Sequence, residues 1–346
     1  MQILSRLREW AENSVGAAES PDAVVVKTTR YLRLLMVALV IGLATAIIYE
    51  HWQSHMADGG GGRCWQTSIS AYYYTPVQLM FVGGLVAIGI SLIALKGSTE
   101  LEDVFLNCAG ILAPVVAFVP TPNVGQCGSV LTDTANRSAN IDNNVLALLV
   151  MAGATFLVLI LLKLLKKPVT DVPGQTQTTG ANEMWARRIT AIGFVLALAF
   201  YTAAGFAFWL DREWFSAHAH WSAAITMFVF IFLAVFNNAI NFHFTQKRNA
   251  ENQSVTDGAG EAETTNILTR FLRFLARLAK PFNWYLLIAL LMGLSLVLTK
   301  VWPRLGGDHS TLWLEASMIL LFAMFWVIQT RELWNHGLRT PEPESP

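Results

Sequence analysis

Five of the seven histidines, His51, His55, His218, His220 and His309, fall in or beside the connections between long apolar runs, and Asp58, Asp211, Asp308 and Glu315 accompany them. His51 and His55 are four apart in Glu50-His-Trp-Gln-Ser-His55, so a continued helix puts both imidazoles on one face, a spacing that suits a shared zinc ion. Gly59 to Gly62 follow at once, and two solvated loop histidines are the competing reading. His218 and His220 are two apart and point to opposite sides of a helix. His220 is the better ligand candidate, because Ala224 and Met227 continue a small or apolar face from it; a histidine hydrogen-bonded at a helix interface is the alternative. Zn²⁺ on some of His51, His55, His220 and His309 would lower the pKa of its bound water toward ~7, with Glu315 as base or ligand. That is the chemistry of a metal-dependent hydrolase.

Glu315 lies one to two turns into the last apolar run, where an ionisable group facing lipid costs at least ~2 kcal/mol. It must face other helices, carry a proton or find a partner, and a purely structural hydrogen bond satisfies that demand too. Ser68-Ile-Ser-Ala-Tyr-Tyr-Tyr-Thr75 offers hydroxyls, so Ser70 and Tyr74 join Glu315 as candidate catalytic residues. Three tyrosines at a membrane boundary also read as an aromatic belt. Cys64 and Cys127 sit in two connections on one side and Cys108 within an apolar run. The first two form a disulfide in an oxidising compartment, or stay as free thiols; CxxC metal spacing is absent. Thr99 to Glu102 fits a helix-capping box, Glu100 and Asp103 suit the positive end of the same helix, and Gln329, Thr330, Arg331, Glu332 and Trp334 read as boundary anchors. No Walker loop, GxGxxG, HExxH or GxSxG element occurs.

The elements that must position these groups are set by composition. The chain has 346 residues, 54% hydrophobic and only 14% charged, against roughly 25% charged in an average soluble domain. Lys plus Arg equals Asp plus Glu at 24 each, so no basic excess points to nucleic acid. The expected fold is therefore all-α, a polytopic transmembrane bundle of about eight spans. The apolar runs are Tyr31 to Tyr49, Pro76 to Leu95, Val104 to Val119, Val145 to Leu165, Ile189 to Leu210, Trp221 to Asn241, Trp284 to Val301 and Thr311 to Gln329. The third is the shortest and holds Pro114. Eight crossings with both termini inside leave only Arg63, Arg137, Arg212, Lys300 and Arg304 of the 24 basic residues outside. The start of the chain lacks the apolar core of a cleavable signal peptide.

These limits divide the chain into a cytoplasmic segment 1–30, spans one to four at 31–165, a linker at 166–187, spans five and six at 188–246, a second linker at 247–283, spans seven and eight at 284–334 and a disordered tail at 335–346. Within the second linker, Arg270, Arg273, Arg277 and Lys280 share one face of Ile267 to Lys280, which reads as a basic amphipathic helix on anionic inner-leaflet lipids, or as an extension of span seven. No internal repeat is apparent, which weakens a repeat-built transporter.

The motifs Ser68-Ile-Ser-Ala-Tyr-Tyr-Tyr-Thr-Pro76 with Phe81-Val-Gly-Gly84, Phe118-Val-Pro-Thr121, and Phe325-Trp-Val-Ile-Gln-Thr330 with Glu332 and Trp334 resemble a family of bacterial polytopic membrane proteins of no established activity. That resemblance implies a plasma-membrane location. A more distant likeness is to the alkaline ceramidase and adiponectin-receptor-type hydrolases, in which Ser-xxx-His and His-xxx-His hold a metal; here Tyr74 stands at the histidine position after Ser70, and spans six and eight lack His-xxx-His. Three functional classes follow: a membrane scaffold or sensor, an outward-facing zinc hydrolase of a lipid or amide, and a small-molecule permease lined by Glu315, Tyr74, Asn237 and Asn238.

Overall fold

The computed structural model describes residues 21–54, 63–122, 127, 137–165, 181–257, 283–301 and 309–334. Among them the chain is all-helical. The helices are α1 (Pro21–Gln53), α2 (Gln78–Ala94), α3 (Glu100–Phe118), α4 (Arg137–Leu165), α5 (Ala181–Leu210), α6 (Arg212–Asp257), α7 (Trp284–Val301) and α8 (Ser310–Glu332), with a 3-10 turn at Ser70–Tyr74 before α2. Six of them, α1, α3, α4, α5, α6 and α8, are long and apolar enough to cross a membrane, and α2 and α7 are shorter apolar helices. A helix satisfies its own backbone groups, which is the one way an open chain can do so in hydrocarbon.

Local chemistry sets the ends. Thr99 caps α3 by accepting the Glu102 N–H, and the Asp211 carboxylate accepts the Trp214 N–H (2.9 Å), turning α5 into α6 with a single residue between them. Pro114 lies inside α3 without ending it. The Gly110 carbonyl, to which Pro114 cannot donate, faces Gly89 of α2 so closely that a Cβ on Gly89 would lie 2.8 Å from its oxygen. Two glycines thus let α2 and α3 touch backbone to backbone, and the segment with the weakest sequence signature is the most enclosed: 56% of its apolar window is buried, against 44% for α6 and 39% for α8.

One core joins α1, α2, α3, α6, α7 and α8 through residues such as Met36, Phe81, Ala113, Val235, Met292 and Trp326. The α4–α5 pair sits outside it, with 6% of each apolar window buried, and is attached by two small clusters, Val119, Ile141, Val145, Phe208 and Phe215, and Val104, Cys108 and Ile189. Tyr72, Tyr73 and Tyr74 are 1%, 5% and 1% exposed, so they belong to the core and do not form a lipid-facing belt; the 3-10 turn folds them inward. Helix α6 also runs well past the expected end of span six at Asn241.

Contacts between connections sort the molecule into two ends. At one, the α1–α2 connection meets the end of α3, the start of α4 and the start of α8. At the other, Thr99 and the first turn of α3 meet α5, α6 and the end of α8, and Arg30 of α1 stacks on Trp334.

Candidate functional site

Glu315 projects from the first turns of α8 into the start of the 3-10 turn. Its Oε2 accepts the Ile69 N–H (2.5 Å) and the Ser70 N–H (3.3 Å), and its Oε1 accepts the Ser70 hydroxyl (3.3 Å). Ile69 caps that turn with no side-chain acceptor of its own, so a carboxylate from a distant helix supplies the missing one. The Leu312 N–H donates to the Thr67 carbonyl (3.1 Å), and Ala71 N–H to Ser68 Oγ (3.0 Å), which completes the clasp.

The carbonyls that end α3 are held by three different elements. His220 of α6 donates from Nδ1 to the Val119 oxygen (2.6 Å), Arg137 of α4 donates to Pro120 (3.0 Å) and to Ser216 (2.8 Å), and the Tyr74 hydroxyl donates to Thr121 (2.7 Å). A carbonyl only accepts, so His220 carries its proton on Nδ1. Burial pushes the Tyr74 phenol above its ordinary value against the pull of Arg137, and burial pushes Tyr72 up to about 12.

Cys64 and Cys127 are joined by a disulfide with Cα atoms 5.6 Å apart, which ties the α1–α2 connection to the chain that follows α3. The Cys64 carbonyl accepts from His51 Nδ1 (3.0 Å) and Ser54 Oγ (3.3 Å), and the His51 ring stacks on Trp65. Every one of these contacts lies at the disulfide end.

Of the residues singled out by sequence, the fold brings Ser70 and Glu315 together and puts Tyr74 and His220 on neighbouring carbonyls. His51 is engaged beside the disulfide, and His309 precedes α8 with its Nδ1 buried and unpartnered. His55 and Asp308, like Arg270, Arg273, Arg277 and Lys280, lie outside the described residues. Among the described residues, no three His, Cys, Asp or Glu side chains gather so as to hold a metal ion.

Sequence reasoning missed Arg137 as a clamp, and at the opposite end it missed a buried polar node. There Glu102 Oε1 accepts from Gln329 Nε2 (2.8 Å) and its Oε2 from the Ser98 N–H (2.8 Å), while Gln329 Nε2 also reaches Asn238 Oδ1 (3.2 Å). Asn237 donates to Thr99 Oγ1 (2.7 Å). On the rim, Lys96 pairs with Glu100 (3.3 Å) and Asp103 (3.2 Å); partial burial draws its ammonium down, but the two carboxylates outweigh it and leave it above its ordinary value. The available signal is three amide or acid side chains in or at the ends of apolar helices, which the sequence presents separately: Glu102 as part of a cap, Gln329 as a boundary anchor and Asn238 as a residue lining a permease path. Fourteen residues of α8, ~21 Å, separate Glu315 from Gln329, and its buried side chains between them are apolar: Met318, Leu321, Phe322, Ala323, Phe325 and Trp326.

Comparison with family models, with curated proteins and with solved structures finds no match.

Proposed function

We propose that this chain is a plasma-membrane scaffold or sensor that crosses the bilayer eight times with both termini in the cytoplasm, and that α6 carries its message out of the lipid. The observation that carries this reading is the length of α6. It runs 46 residues, of which Arg212–Phe242 is the apolar part; the helix continues through His243–Asp257, ~22 Å farther. That extension leaves from the Gln329 end, the end at which the basic residues of the inner connections accumulate. It leads into the segment with Arg270, Arg273, Arg277 and Lys280, which suits anionic inner-leaflet lipids.

The chemistry at the disulfide end supports a binding or relay role over catalysis. Glu315, Ser70 and Tyr74 all direct their polar atoms to backbone groups or to one another, the arrangement of a clasp. The apolar stretch of α8 between Glu315 and Gln329 weighs against a polar path through the bundle. The experiment is photo-cross-linking in membranes from a probe at Ala250, paired with elemental analysis of detergent-purified protein. The reading predicts a discrete cross-linked protein partner and zinc well below one ion per chain. Stoichiometric zinc, lost in a His220→Ala, His309→Ala double variant, would replace it with the hydrolase.

A further inference from the structure

The node at the end of α8 holds a buried carboxylate that no cation among the described residues neutralises. Glu102 is 1% exposed, and among the described residues no Lys or Arg lies within ion-pair distance of it; Lys96, in the preceding connection, pairs with Glu100 and Asp103 instead. A buried charge must be neutralised or paired. The first turn of α3 offers Glu102 its partial positive charge, and two neutral donors, Ser98 N–H and Gln329 Nε2, bind the two oxygens. Neither neutralises a full charge.

Both residues that bind this carboxylate, and Thr330 next to one of them in sequence, carry buried oxygens that lack partners. Gln329 is 1% exposed and its amide is oriented by Glu102 and Asn238, which leaves Oε1 buried with nothing donating to it. Ser98, whose N–H binds Glu102, has its Oγ buried and unpartnered as well, and so has Thr330, the neighbour of Gln329 and 4% exposed. Ser98, in the α2–α3 connection, and Gln329, on α8, therefore flank the carboxylate from two sides, each with a spare oxygen.

We propose that this node is a binding site for a small monovalent cation of sodium's kind, seated against the Glu102 carboxylate with Gln329 Oε1 and Ser98 Oγ as neutral oxygen ligands and Thr330 Oγ1 completing the shell. The donor set selects the ion. One carboxylate with neutral oxygens balances a single positive charge, whereas a divalent calcium site takes 6–8 oxygens with several carboxylates among them. Oxygen-only ligation disfavours zinc and copper, which take nitrogen or sulfur. Glu100 and Asp103 on the rim set two carboxylates against the one ammonium of Lys96, which leaves a net negative charge beside the node. The ion would lock the α2–α3 connection, α3 and α8 together, and through the Gln329 hydrogen bond to Asn238 its occupancy would bear on α6 at the end from which that helix extends.

The test is the melting temperature of detergent-purified full-length protein in sodium, potassium and choline chloride at constant ionic strength. A saturating rise of about 3 °C or more with sodium, absent with choline, is expected. Glu102→Gln should abolish the sodium response, and Ser98→Ala and Thr330→Val should each move its midpoint about tenfold higher in sodium, roughly the loss of one ligand at 1.4 kcal/mol per decade. If Glu102→Gln fails to fold, the two milder variants decide. Equal melting in all three chlorides, as a node filled only by water would give, or an unchanged sodium midpoint in Ser98→Ala and Thr330→Val, overturns the proposal.

Discussion

Replacing Glu315 by alanine removes the acceptor of two buried backbone N–H groups and of the Ser70 hydroxyl. A hydrogen bond to a charged group contributes ~1.5–3 kcal/mol, and each buried donor left without a partner costs ~1–3 kcal/mol. The shortest of the three bonds, from Ile69, dominates, and the two at 3.3 Å are weaker, so the expected loss is about 3–5 kcal/mol. At roughly 2–4 °C per kcal/mol, the melting midpoint should fall by about 6–20 °C. Ser70→Ala removes one weak donor and leaves the backbone bonds, so its loss should stay near 1 kcal/mol, and the double variant should resemble Glu315→Ala alone. The assay is tryptophan fluorescence during heating in one mild detergent at one heating rate, since membrane-protein unfolding is often irreversible. A Glu315→Ala protein that melts within ~2 °C of the parent would refute the clasp, because it would mean that the 3-10 turn holds its own end without the carboxylate.

Opening the Cys64–Cys127 bond, which closes a separation of 63 residues, should lower stability by up to ~4 kcal/mol, less to the extent that the inserted chain is already restrained; thiol labelling before and after reduction, followed by melting, measures it. Gly110→Leu should cost ~1–3 kcal/mol or prevent folding, since even a Cβ there would lie 2.7 Å from the Gly89 oxygen, whereas Gly83→Leu, where a Cβ meets nothing, should be near neutral by the same melting assay. The Tyr72 phenol is raised by burial from 10.0 to about 12, so its protonated form is favoured in the fold. The stability it contributes is complete below pH 10 and is lost as pH rises through 12; Tyr72→Phe should flatten that alkaline loss in a pH series of melts.

The greasy helices were legible because hydropathy sums side-chain preferences for lipid over a single local segment, and the cost of unpaired peptide groups in lipid then makes such a segment helical. Ends were less so: α6 continues past Phe242 because a polar helix needs no apolar run, so hydropathy stops where the backbone does not. By pattern alone Pro114 marks span three as the least secure, yet the close approach of Gly89 to the Gly110 carbonyl encloses that stretch, a contact between residues that no single-segment pattern carries. Glu315 could be recognised as needing a partner from its depth alone. That the partner is the backbone of Ile69 and Ser70, some 245 residues away, depends on packing. The Glu102–Gln329–Asn238 node was hidden for the same reason, since Glu102 satisfies a capping pattern by itself and its burial comes from two other helices.

The account rests on α6 leaving the bilayer into the cytoplasm. Cys64 and Cys127 are bonded to each other and Cys108 is buried, so a Ser254→Cys variant supplies one reactive thiol on the extension. A membrane-impermeant maleimide should label it in inside-out vesicles and not in intact cells; labelling in intact cells would contradict both the sidedness and the role assigned to α6.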